Sequence, residues 1–301
     1  MKDNVFKKVK FNCIGCGLCE GICPKSCINI QEKSNKGIWP FVDNEKCIKC
    51  GICTDICPVE LINKKEELNG IKGIFSGKSK DKEVIKNSSS GGIVSSVIID
   101  LFRKNKIDAA LVAFFDNKLN IYGDFITSKE EVLNHSGSFY HTSKMLINVK
   151  NVKKYKSVLF VGLPCQNIAF TKFKRKFNIN NDYARISLIC TIGRMKNGVK
   201  EYLKENNFNL EPDYYIVKYK SRYGLKRPGD IFIYTKKEYI KFDYENYLSK
   251  DYFYCPNGCL NCRKLFGIEY SDISVGDNWG IETEEKTAIF TANTERGLQI
   301  I

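Results

Sequence analysis

The chain has 301 residues, a formal net charge of +14 and 14 cysteines. Its mean hydropathy is −0.31, and no apolar run approaches the roughly eighteen residues of a membrane span, so we expect no span. Charged residues without an apolar signal region precede the first cysteine, which favours a cytoplasmic location. The basic surplus alone would suit nucleic acid, but no basic run is interleaved with aromatic residues as in a nucleic-acid motif, so we expect no nucleic-acid partner.

Two copies of one cysteine motif open the chain. CIGCGLCEGICP (13–24) and CIKCGICTDICP (47–58) share the C-x2-C-x2-C-x3-C-P spacing of bacterial two-cluster ferredoxins. Three closely spaced thiolates reach three irons of one cubane, and the fourth cysteine of each run points at the other cluster. The motif therefore predicts two [4Fe-4S] clusters. Their ligands are expected in two sets, Cys13, Cys16, Cys19 and Cys57 for one cluster, and Cys47, Cys50, Cys53 and Cys23 for the other.

A pair of zinc knuckles or a set of redox thiols is the alternative to this ferredoxin interpretation. Zinc sites usually use two separated pairs of ligands, not two runs of four that end in Cys-Pro. We therefore prefer a two-cluster ferredoxin domain for residues 1–70. Cys27 has no place in the repeated motif, and we expect it to be a small buried apolar residue.

The remaining chain reads as a linker followed by a larger domain. Residues 71–86 are polar and without periodicity, which is typical of a linker. The apolar residues of IVSSVIIDLFRK, after NSSSGG (87–92), predict a helix from residue 93 with a Ser cap. Buried strands are predicted in DAALVAFF, SVLFVG and RISLICTIG, a hairpin in DIFIYTKK with EYIKF, and a last strand in SDISVGDNWG. Residues 87–301 are therefore expected to form an α/β domain with a mixed sheet, so that the fold class of the whole chain is α+β.

Several stretches of the larger domain carry residues suited to binding. A helix start with two glycines, in SSGG (89–92), exposes N–H groups that suit a phosphate, although an ordinary Ser-capped helix is the commoner explanation of such a stretch. Cys165 lies on a strand-to-helix turn that favours a thiolate, the alternative being a buried structural cysteine. CPNGCLNC (255–262) supplies three thiolates, most of a metal site. Lys226 and Arg227 lie in a basic loop that could meet an anion or face solvent.

Both histidines of the chain, His135 and His141, lie in one polar stretch, HSGSFYHTSK (135–144). A histidine in a polar turn is more often solvated than catalytic. We therefore expect both side chains to be solvated.

These motifs, in this order, resemble one family over essentially the whole chain. SSGG, GSFY (137–140), SVLFVGLPCQ (157–166), LIC (188–190) and CPNGCLNC with SDISVGDNWG are similar to the coenzyme F420 hydrogenase/dehydrogenase beta subunit family, in the version with an N-terminal two-cluster ferredoxin module. The resemblance implies FAD and an iron–sulfur cluster in the larger domain. It also implies electron transfer between a two-electron carrier, such as the deazaflavin coenzyme F420, and one-electron partners, a task that suits a flavin.

The resemblance further implies a third [4Fe-4S] cluster in this flavin-binding domain, held by Cys255, Cys259, Cys262 and one distant cysteine. We prefer Cys165 as that fourth ligand and keep Cys190 as the alternative; a zinc site of the same four cysteines is also open. None of the candidate residues is an obvious general base, so no catalytic residue is assigned. The expected FAD contacts are Ser89, Ser90, Gly91 and Gly92 at the phosphates, Gly137 and Ser138 near the isoalloxazine or ribityl chain, and Lys226 and Arg227 at an anionic tail.

The expected function is that of an FAD- and iron–sulfur-dependent oxidoreductase of the F420 type, with a ferredoxin or a larger oxidoreductase complex as redox partner. The alternative is a non-catalytic relay subunit between a ferredoxin and a partner enzyme, with polysaccharide synthesis as one setting. A zinc protein that binds nucleic acid is a third interpretation. The chain ends at TERGLQII, earlier than members of the family generally do, so the larger domain is expected to be shortened at its C-terminus.

Overall fold

The computed structural model describes residues 4–9, 11–33, 37–116, 119–206, 216–221, 230–234, 239–243, 253–278 and 286–301. Its strands are β1 Ile28–Lys33, β2 Gly37–Val42, β3 Gly73–Gly77, β4 Ala109–Phe115, β5 Ile121–Ile126, β6 Ser143–Lys144, β7 Val158–Gly162, β8 Asp182–Leu188, β9 Ile216–Ser221, β10 Asp230–Tyr234, β11 Tyr239–Asp243, β12 Ile273–Asp277 and β13 Ala288–Ala292. Its α-helices are α1 Val5–Val9, α2 Leu18–Ile22, α3 Ile52–Asp55, α4 Val59–Ile62, α5 Lys82–Asn87, α6 Ile93–Arg103, α7 Lys129–Asn134, α8 Pro164–Phe177, α9 Lys196–Glu205, α10 Asn257–Leu260 and α11 Glu295–Ile300. None of these helices is long and apolar enough to cross a membrane.

The N-terminal module consists of the two cysteine motifs and the antiparallel hairpin β1–β2. In each motif a left-handed glycine, Gly17 at φ 83° and Gly51 at φ 76°, precedes a short helix that carries the third cysteine. A side chain at residue 17 would also place its Cβ 3.0 Å from the Cα of Lys144 in the larger domain. Glycine is therefore required at this position both by the turn and by the close approach of the two parts.

The larger domain is organised by a mixed sheet whose eight strands, among the described residues, have the order β3-β13-β12-β8-β7-β4-β5-β6. The central strands β4, β7, β8 and β12 run parallel, whereas β5, β13 and β3 pair antiparallel. β7 is buried along its whole length, which explains its unbroken apolar run. The predicted hairpin is present as β10 and β11. A mixed sheet after a ferredoxin-like module is the architecture that the sequence predicted.

Part of the predicted linker, residues 71–86, contributes to this sheet. β3 lies at the sheet edge and pairs antiparallel with β13, and the ring of Phe75 stacks on that of Phe290 with centroids 5.6 Å apart. α5 follows, capped by the side chain of Asp81. An edge strand needs few apolar residues, and β13, with which β3 pairs, lies far away in the sequence. The composition of residues 71–86 therefore predicted neither β3 nor α5.

The start of α6 differs from the prediction. The N-cap is Gly92, in the left-handed region at φ 74°, and no side chain caps the helix. The Ser88 hydroxyl instead donates to the carbonyl of Val84 at 2.7 Å. A Cβ at Gly91 would lie 2.5 Å from the carbonyl oxygen of Gly77 in β3. The predicted Ser cap is therefore wrong, and glycine is needed here for close packing of the helix start against the sheet edge.

One apolar core joins the module to the larger domain. Leu18, Ile22 and Ile56 of the module belong to the same buried cluster as Phe160 and Phe170 of the larger domain. The two phenylalanine rings stack with centroids 4.4 Å apart. Because side chains from both parts fill this core, the module is packed onto the sheet domain as an integral part of its fold.

Candidate metal centres

The first predicted set of ligands lines one buried cavity. Cys13, Cys16, Cys19 and Cys57 all face it, among apolar side chains of α1 and the module's hairpin. Burial raises the pKa of Cys16 to about 12, and the negative charge of Cys57 adds to this effect. Four thiols in such surroundings can ionise together only with cations among them. The donor set therefore fits an iron–sulfur cluster.

The second predicted set, Cys23, Cys47, Cys50 and Cys53, lines a second cavity together with Cys27. Cys27 is buried, as expected, with 6% of its surface exposed. Its Sγ, however, lies 3.4 Å from the Sγ of Cys23. The sequence reasoning missed that this fifth cysteine belongs to the site, although its position four residues after the last cysteine of the motif was a visible signal.

A third group of cysteines forms in the larger domain. Cys255, Cys259 and Cys262 come from the loop around α10. Cys165 begins α8 directly after β7, and Cys190 follows β8, the neighbouring parallel strand, so both lie at the same edge of the sheet. The charges of Cys190, Cys259 and Cys262 all act on the thiol of Cys165. The structure thus brings five cysteines together, including both candidates for the fourth ligand.

The protonation of this third group follows from burial. Burial raises the pKa of Cys165 well above its usual value and that of Cys190 to about 12. At Cys165 burial outweighs the N–H groups at the start of α8, so this thiol, like those of the first group, can ionise only with a cation beside it. A hydrogen bond with Cys255 lowers the pKa of Cys259, and the N–H of Gly193 acts in the same direction.

A carboxylate from the module fixes the chain that follows these late cysteines. Glu66 is 9% exposed, and it accepts hydrogen bonds from the backbone N–H groups of residues 265–268. The N–H of Cys190 donates to the carbonyl of Leu265 at 3.0 Å, which ties the end of β8 to the same turn. Glu66 therefore organises the segment that leads away from Cys262.

The first and third cysteine groups adjoin each other across the border between module and sheet domain. Cys13 and Cys259 are close enough for their thiolate charges to interact, and so are Cys16 and Cys165. In each pair, one cysteine belongs to the module and the other to the larger domain. Centres held by the two groups would therefore be neighbours.

Close backbone packing holds these two groups together. A Cβ at Gly258, between two of the late cysteines, would lie 2.3 Å from the carbonyl oxygen of Asn12. The side-chain amide of Asn261 donates to that of Asn12 at 3.0 Å. On the other side, the N–H of Leu146 donates to the carbonyl of Cys16 at 2.9 Å. The late loop and the first motif are thus in direct contact.

The second group adjoins the first, because the charges of Cys19 and Cys53 interact. The three groups therefore lie in the order second, first, third. Among the described residues, no group of three or more His, Cys, Asp or Glu side chains is arranged to hold a single metal ion. Each cysteine of a cubane binds a different iron, so the thiols of such a site need not converge on one point.

The two predicted flavin-binding stretches meet at the start of α6. The N–H of Ser138 donates to the Ser89 hydroxyl at 3.0 Å, and Gly137 beside it has a φ of 131°. The hydroxyl of Ser90 points elsewhere and donates to the carbonyl of Thr287 at 3.0 Å. Since α6 carries no side-chain cap, its first N–H groups remain suited to an anion. Lys226 and Arg227 lie outside the described residues.

The expectation of solvated histidines is wrong for His141. This residue is 5% exposed, its Nε2 lies 2.7 Å from the carbonyl oxygen of Leu119, and burial lowers its pKa to about 4. His135 is half-buried, its ring lies against that of Phe114 with centroids 3.8 Å apart, and burial lowers its pKa as well. Both are packed side chains of the larger domain.

A two-motif ferredoxin module that shares a core with a mixed-sheet domain, and adjoins a third cysteine group there, defines an iron–sulfur protein of the electron-transfer type. Residues 12–74 match the 4Fe-4S dicluster domain. Residues 74–150 match the N-terminal part, and residues 155–301 the C-terminal part, of the coenzyme F420 hydrogenase/dehydrogenase beta subunit. The chain belongs to the coenzyme F420 hydrogenase/dehydrogenase beta subunit family, as the sequence motifs predicted.

Individual relatives agree with this assignment. Coenzyme F420 hydrogenase subunit beta of Methanococcus voltae is 27% identical over 242 residues, which cover 75% of this chain and 82% of that relative. An uncharacterised protein of Methanocaldococcus jannaschii is 28% identical over 227 residues, covering 70% of this chain but 58% of that relative. A chain in a structure of the F420-reducing [NiFe] hydrogenase complex from Methanosarcina barkeri has a TM-score of 0.60 and 19% identity, with 79% of this chain and 80% of that chain covered. The last similarity shows that the fold is shared.

Proposed function

We propose that the chain is an oxidoreductase that passes electrons along three [4Fe-4S] clusters, one in each cysteine group, and exchanges electron pairs with a carrier of the coenzyme F420 type. The observation that carries this proposal is that the first and third cysteine groups adjoin each other: the charges of Cys13 and Cys259 interact, and Gly258 of the late loop packs against the backbone of Asn12. A row of neighbouring centres suits the transfer of single electrons. The choice of carrier is supported by the relative from Methanococcus voltae, which is a coenzyme F420 hydrogenase subunit.

For the third cluster we propose Cys165, Cys255, Cys259 and Cys262 as ligands, with Cys190 as the alternative to Cys165. The preference for Cys165 is supported by its interaction with Cys16 of the first group as well as with the late cysteines. For Cys190 the interactions are with Cys259 and Cys262. A ligand at residue 165 would therefore lie on the side of the third cluster that faces the module.

Iron per chain, in protein purified and reconstituted without oxygen, tests this assignment. About twelve irons correspond to three [4Fe-4S] clusters, and about eight to the module alone. Cys165→Ala should lower the iron content, while Cys190→Ala should retain it. Equal iron in the two variants would overturn the choice of ligand. Eight irons in the unsubstituted chain would overturn the third cluster itself.

We further propose that FAD binds where Ser89 and Ser138 meet. When bound, FAD would accept a hydride and release single electrons, which connects a two-electron carrier to cubane clusters. The first N–H groups of α6 would hold a phosphate, and the contact between Ser138 and Ser89 would keep the two loops together around it. The Ser90 hydroxyl itself donates to the carbonyl of Thr287, so Ser90, Gly91 and Gly92 stay proposals as phosphate contacts through their backbone N–H groups. Lys226 and Arg227 stay proposals for an anionic tail.

Flavin per chain, measured by absorbance after release from purified protein, tests the FAD site. Ser89→Ala removes the acceptor of the Ser138 N–H and should lower flavin occupancy severalfold. Ser90→Ala, which removes only a hydroxyl that donates to a backbone carbonyl, is the matched control and should retain it. Equal flavin in both variants, or none in the parent chain, would contradict the proposed site.

A relay subunit without its own carrier site is the second candidate. The observation that favours it is the similarity to relatives that are hydrogenase subunits, which act within a larger complex. A redox partner, a ferredoxin or a larger oxidoreductase, is therefore proposed in either case. The two candidates separate on one measurement: the isolated holoprotein should turn over coenzyme F420 with an artificial electron acceptor if it is an enzyme. A relay subunit would reduce the acceptor only when its partner is present.

A further inference from the structure

The second cysteine group holds one thiol more than a cubane needs. A [4Fe-4S] cluster has four irons and takes one cysteine at each, whereas five cysteines line this cavity. The extra one is Cys27, whose Sγ lies 3.4 Å from the Sγ of Cys23. Cys27 also interacts with Cys47, a predicted ligand from the other motif. The sulfur of Cys27 therefore lies among the predicted ligands of the second cluster.

The backbone on both sides of Cys27 fixes this position. Ser26 adopts a left-handed φ of 48°, which is uncommon for a residue with a side chain, and its N–H donates to the carbonyl of Cys23 at 3.3 Å. The chain thereby turns back toward the motif that it has just left. On the far side, the carbonyl of Cys27 accepts the N–H of Asp43 at 2.8 Å, where β1 begins. The sulfur is thus placed by the turn and the hairpin together.

The internal repeat supplies a natural comparison for this feature. Cys57 stands in the second motif where Cys23 stands in the first, and the residue four positions later is Leu61 instead of a cysteine. The cavity of the first cysteine group is lined by Cys13, Cys16, Cys19 and Cys57 without a fifth thiol. Of these two cavities, only the one lined by the second cysteine group therefore has an extra thiol.

We propose that Cys27 is an exchangeable ligand of the second cluster, able to hold the iron that Cys23 holds. In the exchange the Fe–S bond to Cys23 breaks, the Fe–S bond to Cys27 forms, and the thiol proton of Cys27 passes to Cys23 across the 3.4 Å between the sulfurs. No electron enters or leaves the cluster in this step. When Cys23 is lost, Cys27 releases its proton to solvent and binds the iron permanently. The second cluster thereby tolerates the loss of one ligand, which the first cluster does not.

Four variants of the full chain test this proposal: Cys23→Ala, Cys27→Ala, the double variant, and Cys57→Ala as the matched control from the other motif. Alanine is used because a serine oxygen can itself bind iron. Each protein is reconstituted without oxygen, and iron and sulfide per chain are measured together with the electron paramagnetic resonance spectrum of the reduced protein.

We expect both single variants of the pair to retain the iron content and the spectrum of the parent chain. The double variant and Cys57→Ala should each lose between about one and four of the parent's irons, as a cubane with an unheld iron loses that iron or falls apart. If Cys23→Ala loses as much iron as Cys57→Ala, Cys27 only packs against the site and the proposal is overturned. The contrast between these two single variants stands even if the double variant does not fold.

The result does not depend on the third cluster or on the flavin. If the third cluster is absent, iron falls by the same amount in the parent and in every variant, while the differences among them remain. Loss of iron in Cys27→Ala with retention in Cys23→Ala would identify Cys27 as the sole ligand and would also overturn the exchange.

Discussion

Replacing Glu66 with glutamine tests whether one side chain of the module holds the late cysteine loop. Its Oε2 accepts the N–H groups of residues 265 and 266 at 2.9 and 2.8 Å, and its Oε1 accepts those of residues 267 and 268. Glutamine has nearly the same shape, but it offers one acceptor oxygen and turns the other position into an NH2 donor. E66Q therefore loses two of these four hydrogen bonds and sets a donor against two buried N–H groups.

The size of the effect follows from these contacts. Each hydrogen bond to a charged acceptor contributes about 1.5–3 kcal/mol, so two lost bonds give an upper range of about 3–6 kcal/mol. Relaxation of the turn and access of water to a side chain that is 9% exposed reduce this range. We expect E66Q to lower the free energy of unfolding by about 3 kcal/mol. Since residues 265–268 closely follow Cys262, we also expect iron to be lost from the third group.

Urea unfolding followed by circular dichroism, with iron per chain measured in parallel, is the assay. Glu67→Gln is the matched control, because it makes the same chemical change at the next, exposed residue. The control should change the free energy of unfolding by less than about 0.5 kcal/mol. Equal urea midpoints and equal iron contents in the two variants would refute the reasoning that Glu66 organises this turn.

His141 and Gly258 support two further predictions. Burial lowers the pKa of His141 to about 4, so its contribution to stability is present above its usual pKa of about 6.5 and lost as the pH falls toward 4, a total of about 3 kcal/mol. H141Q, which can still donate to Leu119, should flatten the fall in urea midpoint between about pH 7 and 5, and an unchanged pH profile would contradict this. Gly258→Ala places a Cβ 2.3 Å from the carbonyl oxygen of Asn12 and should lower iron per chain. Gly77→Ala is the control, because its Cβ would meet no atom nearer than 3.8 Å, and it should retain the iron. Equal iron in the two variants would contradict the prediction and show that the loop adapts.

The repeated cysteine motif was sufficient to predict which thiols of the module share a cavity, because in this type of motif the fourth cysteine of each run belongs to the other cluster. Within each motif a few bonds of backbone separate the cysteines, so their possible positions are narrowly limited. The joint placement of Cys165 and Cys190 was also predictable, because each follows a buried strand and the two strands run parallel. For both predictions the information lies in short segments of the sequence.

The features that the sequence did not predict depend on contacts between distant residues. Glu66 stands in a polar stretch, and the N–H groups that it binds follow about two hundred residues later. His141 stands among polar neighbours and is nevertheless buried against Leu119. The left-handed turn at Ser26, which aims Cys27 at Cys23, has no compositional marker such as glycine. Each of these needs the folded chain before its role becomes visible.

The apolar core shared by Leu18, Ile22 and Phe160 has a consequence for how this molecule handles charge. A free ferredoxin is a diffusible electron carrier, which docks first on its donor and then on its acceptor. Here the module cannot separate from the larger domain without exposing those side chains to water. An excised module would carry an exposed apolar patch that favours aggregation. Electron transfer between the module and the larger domain therefore takes place within one fixed structure. An external redox partner must dock on the surface of the whole protein, because the module does not diffuse to it.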